Sequence, residues 1–171
     1  PDYFDTIVEI GCGDGQLIEL LSHVFSGAKR IIGIDINNQV LKRNRAKFAN
    51  NPKVQLIHGN ARDMPELFSN PQTLALTNGG VLEYFAQSSI EDHFSRLAQT
   101  PGNVVSLVEP FDVNHDLTNG KNSYPFGEEH SFSHNYPALL RAAKLDIVFP
   151  TQLAGSGLHM TMWIGAAPKG V

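Results

Sequence analysis

The side chains best suited to proton transfer lie between residues 83 and 134. Histidines stand at His115, His130 and His134. Imidazole has an unperturbed pKa of about 6.5 and can therefore remove a proton near neutral pH. His134 is the first candidate for a general base and His130 the second, because both lie close to a predicted helix that could hold a side chain in place. Three further candidates follow the predicted fourth and fifth strands: Glu83, Tyr84 and Glu109. Of these three, Glu83 is predicted to be catalytic, together with His134 and His130.

The same histidines could also belong to a metal site. His130 and His134 are four residues apart, which on a helix would place both on one face, with Glu128 and Glu129 nearby. Residues 131–133 between them favour a loop, however, and give little support for that geometry. The sequence therefore predicts no metal ion.

Ligand binding is indicated near the start of the chain, by Ile7-Val8-Glu9-Ile10-Gly11-Cys12-Gly13-Asp14-Gly15-Gln16-Leu17. The β-branched residues are typical of a strand buried on both faces, and from Leu17 the apolar positions take helical spacing. Three alternating glycines let the backbone bend and approach a ligand closely. A dinucleotide loop, G-x-G-x-x-G, would need glycine where this chain has Gln16, so an NAD-dependent oxidoreductase is opposed.

The order E-x-G-x-G-x-G, from Glu9 to Gly15, resembles motif I of the class I S-adenosylmethionine-dependent methyltransferases. The resemblance implies that this loop holds the methionine part of S-adenosylmethionine, and that an acidic residue ending the second strand takes both ribose hydroxyls. The predicted second strand, residues 30–34, runs into Asp35. A carboxylate suits that position because its two oxygens can accept from two neighbouring hydroxyls.

The resemblance implies further contacts with the cofactor. Ile36 is expected against one face of adenine, Asn60 and Ala61 at its edge, and the end of strand four beside the methyl group. Cys12 is expected as a small residue that fits the loop, since methyl transfer from a sulfonium needs no covalent enzyme intermediate. The residues expected to bind the cofactor are Glu9, Gly11, Cys12, Gly13, Gly15, Asp35, Ile36, Asn60, Ala61, Asn78 and Gly79.

Two observations bear on the methyl acceptor. Family members that methylate the amino group of a nucleobase typically carry D/N/S-P-P-Y/F after strand four, whereas this chain has Asn78-Gly79-Gly80-Val81. Thirteen basic and seventeen acidic residues give a formal net charge of −4, which argues against a nucleic-acid partner. We therefore expect methyl transfer to oxygen or nitrogen of a small or medium-sized molecule. The sequence does not identify that molecule.

The stretch from Phe111 to Asn135 has no sustained periodicity. Loops this long in compact domains are commonly lids or binding segments. Its aromatic residues and three histidines fit a pocket wall, so we expect a substrate lid here. The aromatic residues are Phe111, Tyr124, Phe126 and Phe132.

The strand and helix patterns predict an α/β fold: a doubly wound, seven-stranded, mostly parallel sheet with helices on both faces. The resemblance supplies the strand order 3-2-1-4-5-7-6, with strand seven antiparallel. The short link after residue 154 supports that direction, because a parallel crossover needs about a dozen residues or more. A capping box at Ser88-Ser89-Ile90-Glu91 predicts a helix start, and the turn at Lys144, where family members often have glycine, is expected to be strained.

Length and composition favour a single domain over residues 1–171. No apolar run approaches the roughly 20 residues of a membrane span, and the single cysteine fits a reducing compartment, so a cytoplasmic location is expected. Family members usually have a helical segment before the first strand, so we expect either that this sequence is part of a longer chain or that the cover comes from elsewhere. The alternative to an active enzyme is a non-catalytic or incomplete cofactor-binding module of a larger protein. The oligomeric state stays open.

Overall fold

The computed structural model describes residues 3–63, 65–68, 70–127, 129, 131–156 and 159–169. The strands are β1 (Thr6–Ile10), β2 (Arg30–Asp35), β3 (Val54–His58), β4 (Thr73–Asn78), β5 (Val104–Asp112), β6 (Tyr124–Phe126), β7 (Ser131–Ser133), β8 (Leu145–Ser156) and β9 (His159–Pro168). The α-helices are α1 (Gln16–Val24), α2 (Asn38–Lys47), α3 (Gln87–Gln99) and α4 (Tyr136–Ala142). Short 3-10 turns span Ala61–Asp63, Pro65–Phe68 and Leu82–Tyr84.

Seven strands of the described chain form one sheet in the order β3-β2-β1-β4-β5-β9-β8. The first five are mutually parallel, and β9 is antiparallel to both of its neighbours. With β8 and β9 counted as the sixth and seventh strands of this sheet, the predicted order 3-2-1-4-5-7-6 is confirmed.

Helices cover both faces of the sheet, as predicted. Successive residues of a strand point to opposite faces. Ile7 of β1 packs in one core with Ile18 of α1 and Leu41 of α2. Val8, the next residue, packs in the second core with buried residues of α3 and α4. The carboxyl ends of β1 to β5 therefore form one edge between two helical layers.

Three local expectations need correction. Strand β5 does not end near Glu109 but continues to Asp112, where it still pairs with β9. The stretch predicted to lack regular structure contains the β6–β7 hairpin, whose strands have three residues each. Helix α3 begins at Gln87 with Ala86 at its N-cap, so the capping box at residues 88–91 does not form.

Other features agree with the sequence. Lys144 has a φ of 64°, the left-handed conformation that glycine adopts more easily. Within the described ranges, none of the helices is long and apolar enough to span a membrane.

Candidate functional site

A pocket of about 240 Å³ opens at the carboxyl edge of the sheet. Ligands of open α/β sheets bind at this edge, where the chain leaves one strand for a helix. Four segments that follow β1 to β4 form its wall: Ile10 and Gly11; Ile34, Asp35 and Ile36; Gly59, Asn60, Ala61 and Arg62; and Gly80, Val81, Tyr84 and Phe85.

The glycine loop after β1 is held over the end of β2. The backbone N–H groups of Gly11 and Cys12 donate to the carbonyl of Ile34, at 2.8 and 3.0 Å. Gly11 has a φ of 74°, and a Cβ atom there would lie 2.5 Å from Cγ2 of Val81. At Gly13 an added Cβ would meet no atom of the described residues within 4 Å. Gly11 thus allows close packing of two pocket segments, whereas Gly13 borders open space.

Helix α2 supports this loop from behind. The side chain of Asn44, 4% exposed, donates to the carbonyl of Gly13 at 2.7 Å. Lys47 lies 3.5 Å from the carbonyl of Gly15 and forms an ion pair of 2.9 Å with Glu19. Helix α2 therefore contributes two residues, Asn44 and Lys47, that hold the loop. Asn44 lies three residues after the buried Leu41, a spacing that could have indicated its inward position.

Asp35 joins the loop to the end of β2. Its Oδ2 accepts from the N–H of Gly13 at 2.9 Å, and its Oδ1 accepts from the N–H of Asn37 at 2.7 Å. Each carboxylate oxygen can accept a further hydrogen bond. Ile36 beside it is 71% exposed and lines the pocket. A polar acceptor and an uncovered apolar side chain therefore stand next to each other at one end of the pocket.

The wall after β3 contains the two residues expected there, Asn60 and Ala61. The side-chain oxygen of Asn60 accepts from the N–H of Arg62 at 3.1 Å and, like the amide group, can still meet a ligand. Ala61 is buried, and its carbonyl is 2.9 Å from Nε2 of His93.

Arg62 and Tyr84 were not predicted as cofactor residues, although both line the pocket. The guanidinium of Arg62 donates to the carbonyl of Tyr84 at 3.1 Å and lies 5.5 Å from the ring centre of Phe85. The Tyr84 hydroxyl donates to Glu129 at 2.8 Å, and this hydrogen bond raises the pKa of Tyr84 to about 12. Both contacts join segments that are distant in the sequence, so the sequence pattern does not predict them.

Buried Glu109 supports the turn after β4. One of its oxygens accepts from the N–H groups of Val81 at 3.0 Å and Leu82 at 3.1 Å. Burial raises the pKa of Glu109 to about 7, against the lowering effect of these N–H donors. Glu109 thus does not line the pocket but holds the turn that forms part of its wall.

Glu9 is the second buried carboxyl near the pocket. It is 3% exposed, and its Oε2 has no hydrogen-bond partner in the described part of the chain. Burial, with the nearby charges of Asp14 and Asp35, raises the pKa of Glu9 to about 8. A buried polar atom without a hydrogen-bond partner costs free energy. A cationic group bound beside Glu9 would supply a partner and would favour the charged carboxylate.

The other expected cofactor residues do not line the pocket. Cys12 is buried in the core, where its sulfur would lie 2.9 Å from a Cβ added to Gly33. Gly15 packs against Phe48 and Asn44. Asn78 and Gly79 are exposed at the end of β4, and the next two residues, 80 and 81, form the wall instead.

His134 does not line the pocket either. It is fully buried, with Nδ1 2.6 Å from Oγ of Ser123 and Nε2 3.1 Å from the carbonyl of Leu82. Burial lowers the pKa of His134 to about 4, so its ring binds a proton poorly. Both its position and its pKa argue against a general base.

Of the two remaining histidines of the long stretch, the structure describes His115, which does not line the pocket. His115 is buried and lies 2.8 Å from Oγ of Ser133. His130 lies outside the described residues. Glu83 is half-buried, with its carboxylate against Gly80 of the pocket wall. Of the three predicted catalytic residues, Glu83 is therefore the one that the structure places beside the pocket.

A family model described as "Methyltransferase domain" matches residues 7–100. Among curated proteins, Ribosomal RNA small subunit methyltransferase A of Clostridium perfringens is 32% identical over 89 residues, which are 50% of this chain and 29% of that protein. The protein of the same name from Geobacter metallireducens is 34% identical over 59 residues, or 34% of this chain and 20% of that protein. The chain thus spans less than a third of these relatives.

Solved structures share the fold over nearly the whole chain. A Listeria monocytogenes protein described as an S-adenosylmethionine-dependent methyltransferase has a TM-score of 0.71 at 17% identity, covering 99% of this chain and 93% of its own. Geranyl diphosphate C-methyltransferase from Streptomyces coelicolor A3(2), in complex with Mg²⁺, geranyl diphosphate and S-adenosyl-L-homocysteine, has a TM-score of 0.71 at 15% identity, covering 95% and 70%. The N-terminal domain of EvdMO1 with bound SAH has a TM-score of 0.72 at 14% identity, covering 96% and 74%.

Proposed function

Because this chain belongs to the methyltransferase-domain family, we propose that its pocket binds S-adenosylmethionine and presents the methyl group to a small-molecule acceptor. The predicted class, a Rossmann-like S-adenosylmethionine-dependent methyltransferase, is confirmed by the family match and the sheet order. S-adenosylmethionine supplies an electrophilic methyl group on a sulfonium, so the protein mainly aligns the acceptor and excludes water.

The observation that carries the proposal is the position of Asp35. Its carboxylate lies in the pocket wall, is fixed by two N–H donors, and can still accept two hydrogen bonds. We assign it to the ribose hydroxyls. Ile36, 71% exposed beside it, would be covered by the adenine ring.

Two residues of β1 and its glycine loop that do not line the pocket also fit the cofactor. Oε2 of Glu9, which lacks a partner among the described residues, suits the positive charge of the cofactor's methionine part. The open space at Gly13 suits a close backbone approach. We place the methyl group near Gly80 and Val81, which form the wall on the side of β4. Glu83, whose carboxylate lies against Gly80, is our candidate base for an acceptor that must lose a proton.

Nucleic acid is the competing acceptor, because the curated relatives are named for ribosomal RNA. The net charge of −4 and the sequence Asn78-Gly79-Gly80-Val81 favour a small molecule instead. One solved relative holds geranyl diphosphate, a small molecule.

A transfer assay with cofactor labelled in the methyl group tests the proposal. The chain is incubated with a low-molecular-weight metabolite fraction in one arm and with ribosomal RNA in the other. We expect label in the small-molecule arm, and we expect Asp35→Ala to lower kcat/KM for the cofactor by about tenfold to a hundredfold, the value of one or two charge-assisted hydrogen bonds.

Asp5→Ala is the matched control, since Asp5 is a surface carboxylate paired with Lys29 at 2.7 Å. Label in RNA alone would replace the small-molecule acceptor by nucleic acid. Equal activity of Asp35→Ala and Asp5→Ala would remove Asp35 from the cofactor site.

A further inference from the structure

Leu82 is held at both of its backbone polar groups by side chains from distant parts of the chain. Its N–H donates to Glu109 at 3.1 Å, and its carbonyl lies 3.1 Å from Nε2 of His134. Both side chains are 0% exposed. Val81, directly before Leu82, and Tyr84, two residues after it, line the pocket. The conformation of the pocket wall therefore depends on two buried side chains that do not line the pocket.

The hydrogen-bond partners of His134 fix the tautomer of its ring. A carbonyl can only accept, so Nε2 must carry the proton that is shared with Leu82. Nδ1 then accepts, and the Ser123 hydroxyl, 2.6 Å away, donates to it. The N–H of Ser123 donates in turn to the Gln87 side chain of α3 at 2.7 Å. Ser123 is thus anchored to α3 and holds the ring at Nδ1 while Nε2–H reaches the pocket wall.

We propose that His134 is a positioning residue for cofactor binding: with its ring held by Ser123, it holds the turn at residues 81–85 in the shape that completes the pocket. The stretch between β5 and α4 then contributes to cofactor affinity without touching the cofactor. This inference rests on the proposed function, because it needs S-adenosylmethionine or its demethylated product in the pocket. It also replaces the expectation that His134 removes a proton from the acceptor.

Calorimetric titration with S-adenosylhomocysteine tests this role through Ser123. Ser123→Ala removes the hydrogen bond that holds the ring at Nδ1 and lets the imidazole tilt away from Leu82, so binding should weaken by about threefold to tenfold, the value of one hydrogen bond. Ser123→Thr restores the hydroxyl and should bind like the wild type. Asn122→Ala, which truncates the exposed polar side chain at the neighbouring position, is the control and should not change affinity.

A second pair of variants separates positioning from catalysis. In His134→Gln the amide N–H can take the place of Nε2–H, and both affinity and turnover should stay within about threefold of the wild type. His134→Leu removes the donor and should weaken S-adenosylhomocysteine binding by about tenfold. A general base predicts the reverse: turnover falling by about 10²–10⁴-fold in both variants with affinity unchanged.

Each outcome decides a different point. If the wild type does not bind S-adenosylhomocysteine, the proposed function fails before any variant is measured. If the wild type binds and Ser123→Ala binds equally well, the positioning role alone is overturned. Should His134→Leu not fold, as judged by circular dichroism, the Ser123 variants still decide the question.

Discussion

Two buried glutamates stand at the carboxyl edge of the sheet and differ in their partners. Glu109 on β5 accepts from two backbone N–H groups of the turn after β4. Glu9 on β1 is nearly as buried, yet one of its oxygens has no partner within the described ranges. Burial raises the pKa of both, to about 7 for Glu109 and about 8 for Glu9. Glu109 therefore belongs to the structure of the pocket wall, whereas we propose that Glu9 contacts the ligand.

The two turns beside these residues differ in how far along the chain their supports lie. The glycine loop at residues 11–15 is held by Asp35, 22 residues from Gly13, and by Asn44, 31 residues from it. The turn at residues 81–85 is held by Glu109, 27 residues away from Leu82, and by His134, 52 residues away. The second turn should therefore respond to changes in a segment that lies further along the chain.

The largest effect is expected at Glu109. Glu109→Ala leaves the N–H groups of Val81 and Leu82 buried without an acceptor, and should lower the free energy of unfolding by about 3–5 kcal/mol. Glu109→Gln keeps one acceptor oxygen and should cost less than half as much. Urea denaturation measures both. Equal loss in the two variants would mean that the hydrogen bonds to the turn are not what Glu109 contributes.

The next largest effect is expected at Gly11. Gly11→Ala forces a Cβ to within 2.5 Å of Val81 in a left-handed conformation, and should cost about 2–4 kcal/mol. Gly13→Ala meets no atom of the described chain and should cost only about 1–2 kcal/mol from the left-handed backbone, but it should weaken cofactor binding. Chemical denaturation and calorimetry would show the contrast. A Gly11→Ala variant as stable as Gly13→Ala would contradict the close contact between the two turns.

The first turn could be predicted from the sequence because the residues that mark it lie close together in the chain. Three glycines, a preceding buried strand and Asp35 at the end of the next strand mark the loop and the ribose site without reference to other segments. The seven strands followed from runs of apolar residues, and the family resemblance supplied their order. Asn44 was missed because the basic residues around it dominate the pattern of α2.

The second turn could not be read in this way. Glu109 and His134 reach Leu82 only through the folded topology, and nothing in their local sequence indicates that contact. The β6–β7 hairpin was missed because three-residue strands are too short to show a period. His134 was predicted as a base because it lies close to a predicted helix, whereas the structure buries its ring and gives both ring nitrogens hydrogen-bond partners.

A smaller effect, dependent on pH, should appear at Glu9. Its pKa is about 8 in the folded protein against an ordinary value of 4.5, so the folded state binds the extra proton and loses stability as pH rises between these values. Glu9→Gln removes this loss and should raise the free energy of unfolding by about 1–3 kcal/mol at about pH 8.5, with little change at about pH 4.5. Thermal melts across this range measure it.

The same variant should bind S-adenosylhomocysteine less tightly, because the ligand's ammonium group loses a carboxylate. A gain in stability that is the same at both pH values, or an unchanged affinity, would contradict the assignment of Glu9 to the ligand.

The smallest effect is expected at Lys144, far from both turns. Its φ of 64° favours glycine, so Lys144→Gly should raise the free energy of unfolding by about 0.5 kcal/mol, since relief of backbone strain outweighs the added flexibility of the unfolded chain. Cofactor affinity should not change. A loss of stability would show that the Lys144 side chain contributes more than its backbone strain costs.

Calorimetric titration of S-adenosylhomocysteine into the wild type, Asp35→Ala and Asp5→Ala tests the cofactor site most directly. We expect one binding site per chain, affinity lowered by about tenfold to a hundredfold in Asp35→Ala, and no change in Asp5→Ala. Absence of binding to the wild type, or equal affinity in all three proteins, would contradict the claim that Asp35 and the glycine loop form a cofactor site.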